Sequence, residues 1–385
     1  PKTGSMFDVA IAVAILRAES VLPSQGEEVF IGELGLDGRI HSIRGVLPIV
    51  NAAVTSGFRT VFVPESNLLE AQVVEGASVV GVSHLAQVIN HLGGDVQVPP
   101  PPPSRPTPSA PAEAHQAPDL ADLVGQYEAR AALEVAGAGG HHLFLSGPPG
   151  VGKTMLAQRL PGILPRLTHR ESITVTSIHS IAGTLNGASL IHQPPFESPH
   201  HSATMVSLIG GGSGVVLPGA VSRAHLGVLF LDESPEFSPR VLDALRQPLE
   251  EGAVSIHRAF GVATYPARFQ LVLAANPCPC GMGSGKGLEC RCTPQSRRRY
   301  RSRLSGPLLD RVDIRVFVPP VRGKPRSPAE TSEQVRARVG QARNRARHRL
   351  RDTPWKVNAH VPGAWYREYT AEKAGELMDT LHDQL

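Results

Sequence analysis

Residues 147–154 read Gly-Pro-Pro-Gly-Val-Gly-Lys-Thr, and no other segment restricts the fold of this 385-residue chain as strongly. The segment matches G-x-x-x-x-G-K-[ST] in full, and its glycines let consecutive backbone N–H groups face phosphate oxygens. Residues 143–146 before it predict a strand, and residues 155–160 after it predict a helix whose N-terminus favours an anion. This order predicts the phosphate-binding unit of an α/β domain.

The phosphate loop predicts a nucleotide site with a bound cation. Lys153 is expected to neutralise the β- and γ-phosphates, and Thr154 is expected to ligate Mg²⁺. The alternative is a structural Gly-rich turn, which would need neither the strand before it nor the helix after it. ATP and Mg²⁺ are therefore the expected cofactors. The candidate binding residues are Gly147, Pro148, Pro149, Gly150, Val151, Gly152, Lys153, Thr154 and Asp232.

Two acids follow an apolar segment farther along the chain. Val228–Leu231 is followed by Asp232 and Glu233, and a buried parallel strand delivers such residues to the sheet edge where the phosphate loop lies. We expect Asp232 to hold Mg²⁺, directly or through water, and Glu233 to orient and deprotonate the attacking water. The alternative is a strand end with solvated acids, which the complete phosphate loop disfavours.

Two more polar residues occupy positions suited to hydrolysis. Asn276 follows the apolar run Leu271–Ala275 and could position the water and sense the γ-phosphate, although an Asn at a strand end is usually part of a turn. Arg311 is expected to reach the γ-phosphate of a neighbouring subunit. An ordinary ion pair with Asp310 or Asp313 is the alternative for Arg311. The candidate catalytic residues are Lys153, Glu233, Asn276 and Arg311.

Strand-like and helical stretches alternate after residue 118, which predicts a parallel sheet with helices on both faces. The predicted strands are 142–146, 173–176, 227–231, 270–274 and 313–318. The expected fold class is therefore α/β. A five-stranded P-loop domain spans 119–319, and the basic, mostly helical region 320–385 forms a partial lid, with helices at 330–350 and 370–381.

The chain before residue 118 predicts a separate domain. Residues 98–118 are rich in proline, which is typical of an extended spacer, so we place a linker at 96–118. Residues 1–95 predict a small α/β domain with two helices and two strand-like segments. The helices are expected at 7–16 and 46–55, and the strands at 29–34 and 60–63.

Charge is distributed unevenly. The formal net charge is only +4, yet five arginines occur within residues 297–303. Residues 322–351 hold ten Lys or Arg and only two Glu. Such segregation is typical of a protein with a polyanionic partner, most simply nucleic acid, although a solvated Arg-rich helix is an equal alternative.

All four cysteines occur within fifteen residues of one another, so they cannot form a disulfide framework for the whole chain. Four thiolates in one loop suit tetrahedral Zn²⁺, although a C-x-C pair is tighter than the usual knuckle. Free structural thiols in a reducing cytoplasm are the alternative. The candidate zinc ligands are Cys278, Cys280, Cys290 and Cys292.

With these motifs in place, the chain resembles AAA+ ATPases, and more narrowly the magnesium-chelatase-like branch represented by ComM, also called YifB. The resemblance covers nearly the whole chain. It implies that the Gly-rich region and a hairpin expected at 254–265 line the pore of a hexameric ring, which translocates on DNA and drives branch migration during natural transformation. The resembling stretches are Gly139–Leu143, Ser198–Ser202, Gly210–Gly214, Leu231–Phe237, Leu245–Glu250 and Asn276–Gly281.

The first domain resembles the proteolytic domain of Lon. The positions that align with the Lon serine and lysine hold Met6 and Leu47, and the adjacent Ser5 has no lysine partner. A serine nucleophile requires a base beside it. We therefore expect this domain to be a non-catalytic interaction or assembly module.

Two other functions use the same ATP residues. One is the motor subunit of a chelatase that inserts Mg²⁺ into a porphyrin, and the other is a nucleotide-gated assembly protein with little turnover. A DNA motor is favoured because of the basic C-terminal third and the Lon-like domain. Fold and ATP site alone do not choose among the three.

The sequence also gives expectations about location and extent. No apolar run approaches the length of a spanning helix and no secretory signal is recognisable, so we expect a cytoplasmic protein without membrane contact. The chain begins at Pro1, which predicts a fragment. Relative to the family it is expected to lack the start of the Lon-like domain and the helical segment with a second sensor arginine.

Overall fold

The computed structural model describes residues 5–24, 26–100, 118–185, 189–212, 215–258, 261–283, 290–321 and 329–365. Most of the predicted Pro-rich linker, residues 1–4 of the predicted Lon-like domain and the predicted helix at 370–381 lie outside these ranges. Two compact units are present. The first comprises residues from 1–117, 166–229 and 240–269, and the second comprises residues from 118–165, 230–239 and 270–385.

The helices and strands alternate along both units. The strands are β1 (Glu28–Phe30), β2 (Glu33–Leu34), β3 (Ile40–His41), β4 (Thr60–Pro64), β5 (Ser78–Val82), β6 (Leu143–Ser146), β7 (Phe196–Glu197), β8 (Gly210–Gly211), β9 (Leu217–Pro218), β10 (Val228–Leu231), β11 (Ala253–Arg258), β12 (Gly261–Pro266), β13 (Gln270–Ala275) and β14 (Ile314–Phe317). The helices are α1 (Asp8–Ala18), α2 (Val46–Thr55), α3 (Leu68–Ala71), α4 (Leu85–His91), α5 (Tyr127–Gly139), α6 (Lys153–Ile163), α7 (His169–Ala182), α8 (Met205–Ile209), α9 (Ala220–Arg223), α10 (Pro239–Asp243), α11 (Arg246–Glu251), α12 (Pro294–Arg301), α13 (Gly306–Leu309) and α14 (Ser332–Arg349).

A five-stranded parallel sheet carries the phosphate loop, in the order β14-β6-β13-β10-β7. Both β13 and β14 pair parallel with β6, and β7 pairs parallel with β10. β10 and β13 are buried along their whole length, and accordingly β10 is a continuous apolar run, as is β13 after Gln270. Helices α5 and α6 pack against the sheet, and α14 packs against both helices. The expected α/β fold class is confirmed.

The predicted strand at 173–176 is wrong. These residues lie within helix α7, which begins with a capping box in which Thr168 and Glu171 satisfy each other's backbone N–H groups. All four residues, Ile173, Thr174, Val175 and Thr176, are β-branched, and this composition imitates a strand. The fifth strand is instead the two-residue β7.

The first unit contains a parallel sheet in the order β1-β4-β5. Helix α2 begins and ends where the sequence predicts, and its Leu47 is fully buried in an apolar cluster with Val50 and Val61. Met6 packs against the same cluster. The hydroxyl of Ser5 donates to the Glu33 carboxylate at 2.9 Å. Met6 and Leu47, which are predicted to align with the Lon serine and lysine, therefore form part of an apolar core.

The described helices include none that combines the length and the apolar character needed to cross a bilayer.

Candidate nucleotide site

The phosphate loop is fixed between neighbouring strands at its first residue. The N–H of Gly147 donates to the Ala275 carbonyl at 3.2 Å, and a Cβ at Gly147 would lie 2.3 Å from the carbonyl oxygen of Val318. Gly150 and Gly152 have φ values of +77° and +94°, in the left-handed region that favours glycine. Gly147 is therefore required because the Val318 carbonyl lies so close, and Gly150 and Gly152 are required by their left-handed backbone conformation.

Lys153 opens helix α6 and folds back over the loop. Its Nζ donates to the carbonyls of Gly147 and Pro148 at 2.8 and 2.9 Å, and to the Oδ1 of Asn276 at 3.0 Å. The side chain is only 7% exposed. Burial lowers the pKa of Lys153, and the nearby charges of Asp232 and Glu233 oppose this shift. A buried ammonium group is thus held at the loop by neutral oxygens.

Two oxygen groups suited to a hard cation meet beside the loop. The hydroxyl of Thr154, the second residue of α6, donates to the Oδ2 of Asp232 at 2.7 Å. Asp232 follows β10, so the strand order brings these side chains together across 78 residues of sequence. Carboxylate and hydroxyl oxygens are ligands that Mg²⁺ accepts, and the donor set fits that ion.

Glu233 adopts an unusual backbone conformation. Its φ is +48° and its ψ is 42°, and its N–H donates to the Oδ1 of Asp232 at 2.9 Å. Such values are uncommon for residues other than glycine, and strained residues of this kind cluster at functional sites. The hydroxyl of the buried Ser234 donates to the Ala274 carbonyl at 2.9 Å and fixes the turn against β13. The exposed Glu233 therefore projects from a well-fixed turn.

Asn276, which the sequence predicts to sense the γ-phosphate, contacts the phosphate-loop lysine. It follows the fully buried β13, and its amide oxygen accepts from Lys153. The structure thus brings together Lys153 and Asn276 through one contact, and Thr154 and Asp232 through another. This is the edge of the parallel sheet at which the sequence places them.

Arg311 lies after the short helix α13. Its Nη1 donates to the Pro307 carbonyl at 2.7 Å. Asp313, one of the two alternative ion-pair partners, instead contacts the His141 ring at 3.1 Å and accepts from the His142 N–H at 3.3 Å. The described contacts leave the role of Arg311 in a neighbouring site as a prediction.

Two residues that the sequence analysis missed also contact the site. Gln126 donates to the carbonyls of Val151 in the loop and Pro319 after β14, at 3.1 and 2.7 Å. Arg303 donates to the Pro235 carbonyl at 3.1 Å and to the Glu236 carboxylate at 2.7 Å, beside the acid pair. The five arginines in residues 297–303 concealed Arg303, because composition does not show which one contacts the turn after the acid pair.

The four cysteines form one cluster of free thiols. Burial raises the pKa of Cys278 to about 12, whereas a hydrogen bond from the Met282 backbone, as the largest cause, lowers that of Cys280 to about 6. The structure therefore brings all four predicted zinc ligands together.

The first unit holds the hairpin and the Gly-rich segment. Strands β11 and β12 pair antiparallel from Ala253 and Pro266 to Arg258 and Gly261, close to the predicted hairpin at 254–265. The Arg258 guanidinium lies against the backbone of Gly211, where a Cβ would be 2.8 Å from its Nη2. The side chains of His257 and Arg258 are exposed at the hairpin end.

Residues 119–325 match the family model described as magnesium chelatase, subunit ChlI, and residues 1–67 match a second model described as subunit ChlI of Mg-chelatase. The first match covers more than half of the chain. The chain belongs to the magnesium chelatase ChlI family. The nucleotide site lies within the larger match, so the family assignment and the site geometry concern the same residues.

Three relatives resemble the family member described here over most of its length. Rv2897c of Mycobacterium tuberculosis is 52% identical over 372 residues, which cover 95% of this chain and 73% of the relative. YifB of Escherichia coli is 38% identical over 384 residues, with 98% and 73% covered. The competence protein ComM of Haemophilus influenzae is 40% identical over 367 residues, with 94% and 70% covered. The expected resemblance to AAA+ proteins of the ComM and YifB type is confirmed.

Proposed function

We propose that the chain is the Mg²⁺-dependent ATPase of a ring-shaped motor that moves on DNA. The observation that carries the ATPase is the meeting of Lys153, Asn276, Thr154 and Asp232 at one sheet edge. Neither contact is needed to build the sheet, and both involve residue types that bind phosphate or Mg²⁺. The arrangement supports hydrolysis more strongly than a nucleotide-free structural role.

Phosphate binding would replace the present hydrogen bonds of Lys153 with hydrogen bonds to phosphate oxygens. Its ammonium group donates to two loop carbonyls and one amide, and phosphate oxygens are better acceptors because such bonds are charge-assisted. Thr154 and Asp232 would hold Mg²⁺, which supplies positive charge against the triphosphate. The loop N–H groups and the N-terminus of α6 would add to this neutralisation.

Hydrolysis needs a base and groups that stabilise developing charge. Glu233 would accept a proton from the attacking water at its carboxylate, while the Asn276 amide would orient that water. Arg311 of a neighbouring subunit would stabilise the charge that develops on the γ-phosphate. The site would therefore be complete only in an oligomer, for which a hexamer is the expected form.

DNA is proposed as the partner because exposed basic groups occur in both units. Arg298, Arg299 and Arg301 of helix α12 are exposed, as are His257 and Arg258 at the hairpin end. Contacts of this kind to phosphates weaken steeply with salt. The relative ComM is named a competence protein, which agrees with a motor that drives branch migration of recombination intermediates.

The test is ATP hydrolysis by the complete protein, with and without forked and four-way DNA. We expect DNA to stimulate turnover and salt to weaken the effect. Glu233→Gln should abolish turnover while retaining ATP binding, and Glu128→Gln, at an exposed position on α5, is the matched control. Absence of any DNA effect at low salt would remove the DNA part of the proposal.

A chelatase motor is the second candidate, because the matching family model carries the name of a magnesium chelatase subunit. Its test is whether a porphyrin-carrying partner stimulates the ATPase where DNA does not. A nucleotide-gated assembly protein is the third outcome of the same experiments. It would be supported if Glu233→Gln left every measured property unchanged.

A further inference from the structure

The four thiols are arranged as the ligands of one tetrahedral ion would be. Their sulfur atoms all lie within 4.8 Å of one another. Cys278 is 3.4 Å from Cys280 and 3.6 Å from Cys290, and Cys280 is 3.7 Å from Cys290. Tetrahedral zinc with Zn–S bonds of about 2.3 Å places its sulfurs about 3.8 Å apart. The cluster therefore needs little rearrangement to bind zinc.

The cluster joins two elements that are separate in the sequence. Cys278 and Cys280 follow the end of β13, whereas Cys290 and Cys292 precede helix α12, which Thr293 caps. An ion bound by all four would hold the end of the central strand against the start of this helix. Ordinary thiol packing would give no such link.

On the strand side, the cluster is linked to the nucleotide site by a short sequence separation and by one close contact. Asn276, which accepts from Lys153, stands two residues before Cys278. Gly281 packs on the phosphate loop so closely that a Cβ there would lie 2.8 Å from the Cδ of Pro149. The segment that carries the first two thiols therefore contacts the loop and supplies the sensor residue.

On the helix side, α12 reaches two further parts of the site. Tyr300 of α12 is buried, and burial raises the pKa of its hydroxyl to about 12, while the nearby backbone of Asn276 opposes this shift. Arg303, just beyond the helix, donates to Pro235 and Glu236 in the turn that follows the acid pair. Movement of α12 would therefore displace both the sensor residue and this turn.

The geometry points to a structural Zn²⁺ centre at the four cysteines that holds Asn276, Pro149 and the acid turn in the arrangement that ATP hydrolysis requires. Each thiol loses its proton to bind the ion as a thiolate. The effect on turnover presupposes the ATPase proposed above, whereas zinc binding does not.

The first measurement is the metal content of the purified complete protein. We expect one zinc ion per chain, and Co²⁺ substitution should give the visible absorption of a tetrahedral thiolate site. Cys290→Ser and Cys292→Ser should lose both signals. Arg291→Ala is the matched control, because this exposed residue lies between the two cysteines and carries no thiol. Wild-type protein that contains no zinc and takes up no Co²⁺ overturns the proposal.

The second measurement is ATP turnover and nucleotide affinity with and without metal. Zinc is released from wild-type protein with a mercurial reagent, and zinc and excess thiol are then restored, so that a misfolded variant does not decide the result. We expect metal release to lower kcat by about 100-fold, since a displacement of about 1 Å in an active site has that effect, and zinc to restore it. Unchanged turnover of the zinc-free protein contradicts the positioning role.

Lys153→Ala separates the two proposals. This variant should lose ATP turnover and retain one zinc ion per chain. If wild-type protein binds zinc and has no ATPase activity under any condition, the function proposed above fails while the metal centre stands. In that case zinc release should still lower nucleotide affinity, and unchanged affinity would contradict the positioning role.

Discussion

The nucleotide site buries a charged group and contains a strained residue, whereas the apolar cluster around Met6 and Leu47 in the first unit buries hydrocarbon side chains. At the sheet edge, a buried lysine is held by three oxygen acceptors, and an acid sits in a left-handed backbone conformation. In the first unit, the two positions predicted to align with the Lon serine and lysine hold Met6 and Leu47, which pack in one apolar cluster.

This difference has an energetic meaning. Burying an ammonium group and holding a residue in the left-handed region both cost free energy, so they persist where surrounding structure compensates. Packing Leu and Met at the other two positions gains apolar burial instead. The nucleotide site therefore contains groups that cost stability, whereas Met6 and Leu47 contribute stability through packing.

The largest expected effect is that of Lys153→Ala. Loss of the ammonium group should lower kcat/KM for ATP by about 1000-fold, or about 4 kcal/mol, because a preorganised charge is removed. The exposed Lys356→Ala is the control. Steady-state hydrolysis measures both, and a variant that keeps a tenth or more of wild-type activity would show that the loop does not act as inferred.

Next in size is the effect of Leu47→Ala on folding. Leu47 is fully buried, so its truncation should lower the free energy of unfolding by about 2–5 kcal/mol. Leu69→Ala, at a residue that is 65% exposed, should change it little. Leu47→Lys together with Met6→Ser should destabilise the unit and give no peptidase activity. Recovery of peptide cleavage in that double variant would contradict the packing interpretation.

A buried histidine in the first unit should make stability depend on pH. Burial, and secondarily Arg268, lower the pKa of His225 from 6.5 to about 4, and its Nδ1 accepts from the Arg268 N–H at 3.1 Å. In the unfolded chain His225 binds a proton below about pH 6.5, whereas in the folded chain it does so only below about pH 4. As the pH is lowered from about 6.5 to about 4, the free energy of unfolding should therefore decrease, by at most about 3 kcal/mol.

Urea unfolding at several pH values measures this loss. His225→Asn keeps an acceptor for the Arg268 N–H and removes the titrating ring, so its stability should vary less with pH. The exposed His348→Asn is the matched control. An equal dependence in wild-type and His225→Asn proteins would assign the pH effect to other groups. Burial lowers the pKa of His142 in the second unit to about 4 as well, so some dependence should remain in the variant.

The smallest effect concerns the strained acid. Glu233→Gly should raise the free energy of unfolding by about 1 kcal/mol, because glycine tolerates the left-handed conformation, while turnover is lost. Glu233→Gln should lose turnover without the gain in stability. Equal stability of the two variants would show that the backbone conformation there carries no strain.

The sequence predicted the site best where polar residues directly follow an apolar run that forms a strand. The loop, the acid pair and Asn276 each follow an apolar run, and parallel strands bring such ends to one edge. It failed at Ile173–Thr176, where β-branched composition outweighed the capping signal of Thr168 and Glu171. The two-residue β7 is too short for any periodic pattern, and the contact of Arg303 with Glu236 depends on tertiary structure that no local pattern encodes.

The position of β6 between β14 and β13 has a consequence for the growing chain. Leu143 pairs with Val272 on one side and with Ile314 on the other, so both neighbours of this strand are translated long after it. Asp119 likewise accepts from the N–H of Ser332, the first residue of helix α14. Non-local pairings of this kind slow folding and leave strand edges exposed meanwhile. The ATP-binding core would thus be assembled late in synthesis. The edges of β6 would be accessible to chaperones until β13 and β14 have been synthesised.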